Sequence, residues 1–209
     1  MSKVVMFDFD GVVADSLAVF QGEFMLACQE LGFEGVQSEA AFLRLFEGNL
    51  LAQLVKAGFP PWRLRKLFKL LSPRVEAANA RVAPFDGMPE ALSAVARHYP
   101  TYVVTSNVTG AIAGFLDRYG VTGVRGTLGA DIEPSKVKKI RKLCKAHPEL
   151  SPFYVGDTKG DMLEGREAGA TTVGVTWGYH PEATLARGNP DHLVRTPAEL
   201  LRVLDAPPD

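Results

Sequence analysis

The chain has 209 residues, of which 46% are hydrophobic and 22% charged. That composition excludes a disordered polypeptide and suffices for one domain, or a core with a small insert, around a buried interior. The formal net charge of −1 provides no global field to hold nucleic acid or an anionic membrane, so neither is expected as a partner.

The opening stretch MSKVVMFDFDG is apolar but is broken by Asp8 and Asp10, unlike a signal peptide or a membrane span. Val4–Phe9 reads as a short buried strand stopped by Asp10-Gly11. From Ser16 to about Arg81 no strand pattern occurs. Leu17, Phe20, Phe24, Ala27, Cys28 and Leu31 form an apolar stripe at helical spacing that ends near Gly32. Residues 40–46, 50–57 and 61–71 read as further helices, punctuated by Gly48, Gly58 and Pro60-Pro61, with Trp62 expected in their core. The chain then returns at Val82-Ala83-Pro84.

Beyond that point strands and helices alternate. Met88, Leu92, Val95, Ala96 and Tyr99 mark a helix, and Thr101–Thr105 (TYVVT) a strand. Ser135–His147 reads as a helix, with Lys138, Lys139, Arg141, Lys142 and Lys145 as its solvated face. Phe153–Gly156 and Thr171–Val175 are strands, and Val124–Leu128 and His192–Val194 are weaker strand patterns. The tail, residues 206–209, is expected to fray. The alternation implies an α/β architecture: a Rossmann-like parallel sheet with helices on both faces, formed by residues 1–15 and 82–209, with a small α-helical domain of residues 16–81 inserted after the first strand. In such sheets the site lies at the carboxyl ends of the strands.

Cys28 and Cys144 form no CxxC pair and fall on apolar stripes, so they read as core thiols in a reducing cytoplasm. The four histidines, His98, His147, His180 and His192, have no metal-ligand spacing. His180, near a strand end in WGYH, is a candidate for the cleft wall, and Trp177 reads as packing.

The chemistry concentrates at strand ends. In Asp8-Phe9-Asp10-Gly11 the alternation of a strand sends Phe9 to one side and both acids to the other, and glycine permits a sharp turn. In Val155-Gly156-Asp157-Thr158-Lys159-Gly160-Asp161 a second strand ends in an acid, with another four residues on. Either motif alone is equally an acidic strand cap or a helix N-cap. Together they would set four carboxylates side by side, and two charges about 4 Å apart repel by roughly 4 kcal/mol at an effective dielectric near 20. A compensating hard cation is implied, and Mg²⁺, with few carboxylates and several waters, typically meets phosphate. Thr105-Ser106-Asn107 ends another strand with a hydroxyl, an amide and free backbone N–H groups, as an oxyanion site requires, although ordinary helix capping gives the same pattern. Lys136 stands at the start of the helix Ser135–His147, where a cation can neutralise a nucleophile and a bound phosphoryl group.

The ordered set DFDGVVADS, VVTSN, Lys136 in PSKVKKI, and VGDTKGDMLEGREAG resembles the haloacid dehalogenase superfamily over nearly the whole chain. TVGVTWGYH and the helical insert after the first motif are similar to its phosphoglycolate phosphatase-like branch. The resemblance implies a Mg²⁺-dependent phosphatase of a small phosphorylated metabolite, either phosphoglycolate-like or a sugar phosphate. Asp8 would be the nucleophile that forms an aspartyl phosphate, and Asp10 the general acid and base. Thr105, with the backbone at Ser106 and Asn107, would hold the phosphoryl group. Lys136 would neutralise charge, and Gly11 would lie in the phosphate-side turn. The metal would be held by Asp8, Asp10 (through its carbonyl), Asp157 and Asp161. Asp15-Ser16 would form the hinge of a mobile cap, whose turn at Phe46, Glu47 and Asn49 would read the substrate. Val12 stands where threonine is commoner, and Glu133-Pro134-Ser135-Lys136 replaces the usual Lys-Pro-x-Pro. A phosphosugar mutase like β-phosphoglucomutase shares these motifs and is the alternative. A phospho-aspartate receiver differs in motif order and lacks the insert.

Overall fold

The structure, a computed structural model, describes residues 2–78 and 81–206. Its first strand, β1 (Lys3–Phe7), is buried along its whole length, as an apolar run covered on both sheet faces must be. The chain continues through β2 (Ala14–Asp15) into four helices, α1 (Leu17–Glu30), α2 (Glu39–Arg44), α3 (Leu50–Lys56) and α4 (Leu64–Ala78), with a 3₁₀ turn at Pro61–Arg63. It returns through β3 (Ala83–Pro84) and alternates: α5 (Met88–His98), β4 (Thr101–Val104), α6 (Thr109–Arg118), β5 (Gly126–Leu128), α7 (Lys136–Ala146), β6 (Ser151–Gly156), α8 (Lys159–Ala168), β7 (Thr171–Val175), α9 (Glu182–Ala186), β8 (His192–Val194) and α10 (Pro197–Val203).

The six-stranded sheet runs β5-β4-β1-β6-β7-β8 with all strands parallel. The chain fills one side of β1 first and then crosses to the other. The order therefore reverses at β1, where a crevice opens at the strands' carboxyl ends. Phe7 lies opposite Val103 of β4 and Val155 of β6, so the residue after it emerges into that crevice.

Strand alternation divides the core. Val5 and Phe7 pack with Leu92 of α5, Phe115 of α6 and Leu200 of α10, whereas Met6 packs with Ile140 and Leu143 of α7. Helices thus cover both faces. The cap helices build a separate core around Phe24, Phe42, Leu54, Phe59 and Leu67. Cap and sheet are joined by an antiparallel ribbon of two short strands, with Ala14 opposite Pro84 and Asp15 opposite Ala83.

Several details differ from expectation. Trp62 is 82% exposed, because Pro60-Pro61 turn the chain at a corner and Phe59 and Leu67 fill the cap core instead. β1 ends at Phe7, two residues early, and β6 begins two residues early, at Ser151. The weak strand pattern at 124–128 pairs only from Gly126. Cys144 is half-buried rather than fully so. Of the tail expected to fray, residues 207–209 lie outside the described set, and Ala206 is fully buried. A left-handed Asp205 (φ 50°) closes α10, the Ala206 N–H donates to the Leu201 carbonyl at 2.9 Å, and Lys3 Nζ donates to the Leu204 carbonyl at 2.9 Å. This reversal satisfies the last helix carbonyls.

Candidate active site

The end of β1 delivers Asp8. Its N–H donates to the Val155 carbonyl at 2.8 Å, and its Oδ1 accepts the Phe9 N–H at 2.8 Å. Phe9 turns away into the core, edge-on to Phe115 at 4.8 Å. Asp10 returns to the crevice side, where Ser16 Oγ donates to its Oδ1 at 2.8 Å and itself lies 2.9 Å from the Tyr179 hydroxyl. Gly11 has φ +80°, and a Cβ there would lie 2.1 Å from Asp157 Oδ2. Both the backbone conformation and the approach of the neighbouring carboxylate therefore require glycine.

The end of β6 delivers the second pair of acids. Asp157 is wholly buried, and its Oδ2 accepts the Tyr179 N–H at 2.6 Å. α8 starts immediately afterwards with a capping box: the Asp161 N–H donates to Thr158 Oγ1 at 3.1 Å, and Asp161 Oδ2 accepts from the Thr158 N–H at 3.1 Å and hydroxyl at 2.6 Å. The local capping expectation holds, and the capping acid also faces the site.

Lys136, first residue of α7, joins the two strand ends. Its Nζ donates to Asp8 Oδ2 and to Asp161 Oδ1, both at 2.6 Å. Tyr154 adds its hydroxyl to Asp161 Oδ1 at 3.0 Å. One carboxylate oxygen from each of Asp8, Asp157 and Asp161 lies within 4.8 Å of the others. Asp10 lines the same cavity, but its carboxylate belongs to the Ser16 side.

Burial pushes the Asp8 carboxyl up to about 7 despite the counteracting Lys136 ammonium. Asp157 is raised well above the usual carboxylate range, by burial first and then by the Asp161 and Asp8 charges. Burial also raises Asp10, against the Ser16 hydrogen bond. Asp161 behaves oppositely: burial works to raise it, but Lys136, Thr158 and Tyr154 together bring it below its ordinary value. Lys136 loses to burial but gains more from Asp161 and Asp8, and stays protonated. One ammonium thus faces three buried carboxylates.

Among the described residues, Asp157 Oδ1 is the buried side-chain oxygen without a hydrogen-bond donor. Leaving such an acceptor unmatched costs about 1–3 kcal/mol or more. Both Asp161 oxygens are taken by protein donors, whereas Asp157 Oδ1 is open. The donor set is all oxygen, carries excess negative charge and offers an open ligand atom, so it fits a hard divalent cation.

At the end of β4, Thr105 is wholly buried, and its Oγ1 accepts the Asn107 N–H at 3.0 Å. Ser106 and Asn107 line the cavity with Asp8, Asp10, Lys136, Asp157 and Asp161. Thr105 and Gly11 are not part of this lining but touch residues that are, Thr105 through Asn107 and Gly11 through Asp157. Lys139, expected on a solvated face, is fully buried instead, and its Nζ donates to the Thr105 carbonyl at 2.5 Å. Burial first, then the Lys136 charge, lowers it to about 8. The helical period explains the difference, because Lys136, Val137 and Ile140 all turn inward and Lys139 lies on the same face.

The cap meets the core at the start of α8. The Gly160 N–H donates to the Phe46 carbonyl at 2.9 Å, and a Cβ at Gly160 would stand 2.7 Å from that oxygen. His180 does not line the cavity. It is buried, with Nδ1 accepting the Lys159 N–H at 2.9 Å and Nε2 lying 2.9 Å from the Leu43 carbonyl. Nε2 must therefore carry the proton, and burial lowers the ring's pKa. Phe46 and Asn49 line the cavity, whereas Glu47 pairs with Lys159 at 3.2 Å. Sequence reading missed Ser16 as a partner of Asp10, and also Tyr154, Tyr179 and Lys139. Only their positions beside strand ends or one helical turn from Lys136 carried any signal.

A doubly covered parallel sheet whose central strand ends in a lysine-bridged acidic centre beneath a helical cap defines a class of α/β hydrolase. The chain belongs to the haloacid dehalogenase-like hydrolase family, whose sequence pattern matches residues 5–175. It is 25% identical over 207 residues to a phosphoglycolate phosphatase of Synechococcus elongatus, covering 97% of each chain. It is 30% identical over 223 residues to an N-acetylmuramic acid 6-phosphate phosphatase of Pseudomonas aeruginosa, covering 97% of this chain and 95% of that one. A haloacid dehalogenase-like hydrolase of Streptococcus pneumoniae shares the fold, with a TM-score of 0.80 at 23% identity, over 97% of this chain and 98% of the other.

Proposed function

We propose that the protein is a Mg²⁺-dependent phosphatase that hydrolyses a small phosphomonoester through an aspartyl phosphate on Asp8. The observation that carries this reading is the clamp of Lys136 on Asp8 and Asp161 beside the open oxygen of Asp157. The phosphatase names of the relatives that match the whole chain support it. So does the cap, which we assign to residues 16–81 over a core of 1–15 and 82–209, and which closes over the cavity to exclude water.

In the first step the Asp8 carboxylate attacks phosphorus and the bond to the leaving oxygen breaks. Asp10 gives that oxygen a proton, so the alcohol departs neutral. Burial raises Asp10 above its ordinary carboxylate value, the direction a proton donor requires. Ser16, backed by Tyr179, fixes its orientation. In the second step Asp10 takes a proton from water, the water oxygen bonds to phosphorus, and the bond to Asp8 breaks to release inorganic phosphate. Lys136 orients Asp8 and offsets the phosphoryl charge, with Asp161 and Tyr154 holding Lys136 in place. Ser106 and Asn107 face the transferred group, braced by Thr105 and Lys139, and Gly11 lets the backbone turn beside it.

Asp8 and Asp157, with the Asp10 carbonyl, would hold Mg²⁺, and Asp161 would act beside them through Lys136. When bound, the ion supplies positive charge to the phosphoryl oxygens. No helix among the described residues is long and apolar enough to cross a membrane; the assignment to the cytoplasm rests on Cys28 and Cys144, which are free thiols. The test is phosphate release from p-nitrophenyl phosphate with Mg²⁺ or with EDTA, for wild type and Asp8→Asn. Turnover should require both the ion and Asp8, and activity retained by Asp8→Asn would refute the covalent route.

A further inference from the structure

The cavity above the carboxylates has a volume of about 470 Å³, within the roughly 300–1,000 Å³ usual for small-molecule sites. Its two sides differ in chemistry. The floor is the polar centre already described. The roof comes from the cap and is apolar: Phe20, Phe46, Leu51, Phe68, Leu71 and Val75. Asn49, a polar side chain on the roof, already accepts the Ala52 N–H at 3.2 Å as the N-cap of α3.

Charge is as uneven as polarity. Among the described residues lining the cavity, Lys136 is the only cation, and its ammonium is already held by Asp8 and Asp161. Two further acids, Asp131 and Glu164, line the same space. A substrate carboxylate placed against the roof would find no cation and would meet like charge. An unpaired carboxylate moved out of water is strongly disfavoured. A polyol would lose hydrogen bonds to water and regain few, whereas an apolar group would bury its surface against six hydrocarbon side chains.

Resting on the phosphatase reading above, we propose that the substrate is a phosphomonoester of an uncharged, largely apolar alcohol, and not a carboxylated ester such as phosphoglycolate or a sugar phosphate. The roof receives the alcohol and the floor the phosphoryl group, and the freed alcohol leaves with the proton from Asp10.

The experiment compares kcat/KM for benzyl phosphate, 4-carboxybenzyl phosphate, 2-phosphoglycolate and a hexose 6-phosphate, with p-nitrophenyl phosphate as an activated reference. Benzyl and 4-carboxybenzyl phosphate have leaving alcohols of similar intrinsic reactivity, so their ratio reports the roof. Benzyl phosphate should be preferred by about tenfold or more, equivalent to about 1.4 kcal/mol. Ser72→Arg, at an exposed position of α4 lining the cavity, should move that ratio toward the carboxylated ester by about tenfold, or about 1.4 kcal/mol. Leu51→Arg, at a 39% exposed position, serves as the second variant. A ratio at or below one, a preference for phosphoglycolate or the hexose phosphate, or a ratio that neither arginine moves would overturn the proposal and leave the phosphatase reading standing. No phosphate release from any ester, the activated one included, would overturn both.

Discussion

Replacing Lys136 with methionine keeps most of the side-chain volume and removes the ammonium that sits 2.6 Å from both Asp8 and Asp161. Those carboxylates are then left without their shared cation. At the 4.8 Å limit of the cluster, their repulsion is about 3.5 kcal/mol for an effective dielectric near 20. Stripping one partner from a buried ion pair costs about 3–5 kcal/mol in general, so the two routes to a magnitude agree. In a chain of this size each kcal/mol moves the midpoint by about 2–4 °C, so Lys136→Met should melt about 6–20 °C below wild type without metal at pH 8. Mg²⁺ should recover part of the loss, because two charges of the right sign return to the cluster. The deficit should also shrink at pH 5: Asp8 is raised to about 7 even beside Lys136, the variant removes that opposing charge and raises it further, and the protonated carboxyl no longer repels. Thermal melts monitored by circular dichroism at both pH values, with EDTA or Mg²⁺, read all of this. A metal-free melt within about 2 °C of wild type would show that Lys136 is not the cation that balances these acids.

Asp10→Asn should lower kcat by roughly 10²–10⁴-fold with little change in fold, as loss of a general acid and base does; steady-state kinetics check it, and a loss smaller than about threefold would remove Asp10 from both roles. Metal-free stability should fall as pH rises from about 4 to about 7. Asp8 has its carboxyl raised from 3.8 to about 7, so its stabilising contribution is complete below the unfolded pKa and is lost as pH climbs through the folded one, by up to about 4 kcal/mol. Asp157 and Asp10, also raised, act in the same direction, while His180, lowered from 6.5 by burial, opposes them below pH 6.5. Asp8→Asn should flatten the pH profile of the melting midpoint, and an unchanged profile would contradict the assignment. Trp62→Gln should change stability by no more than about 0.5 kcal/mol, since the ring is exposed and fills no core; a loss above about 2 kcal/mol in urea unfolding would place it inside.

What the sequence made legible follows from how local each signal is. Asp8 and Asp157 stand directly after buried strands, with Asp10 two residues past Asp8, and a strand end is readable from a short apolar run. Lys136 follows a serine N-cap at a helix start, which is also a local pattern. The insert after β1 was visible because helical periodicity persists where a strand was due. The partners that tune these groups are not local. Tyr179 reaches Asp157 and Ser16 from the loop after β7, and only its place in TVGVTWGYH beside a strand end marks it. Lys139 looks like its basic neighbours until the packing of α7 on β4 shows that its face turns inward. Trp62 misled for the opposite reason: a large aromatic beside apolar residues is usually core, but the proline-driven corner points it outward.

The central claim is that Asp8 and the open oxygen of Asp157 share one divalent ion. Crystals soaked in Mn²⁺, an oxygen-seeking ion of octahedral habit, would test it by anomalous scattering. The account predicts a single strong peak within coordination distance, about 2.1–2.3 Å, of an Asp8 carboxylate oxygen and Asp157 Oδ1. A peak bound elsewhere, or none between these two side chains at saturating Mn²⁺, would contradict it.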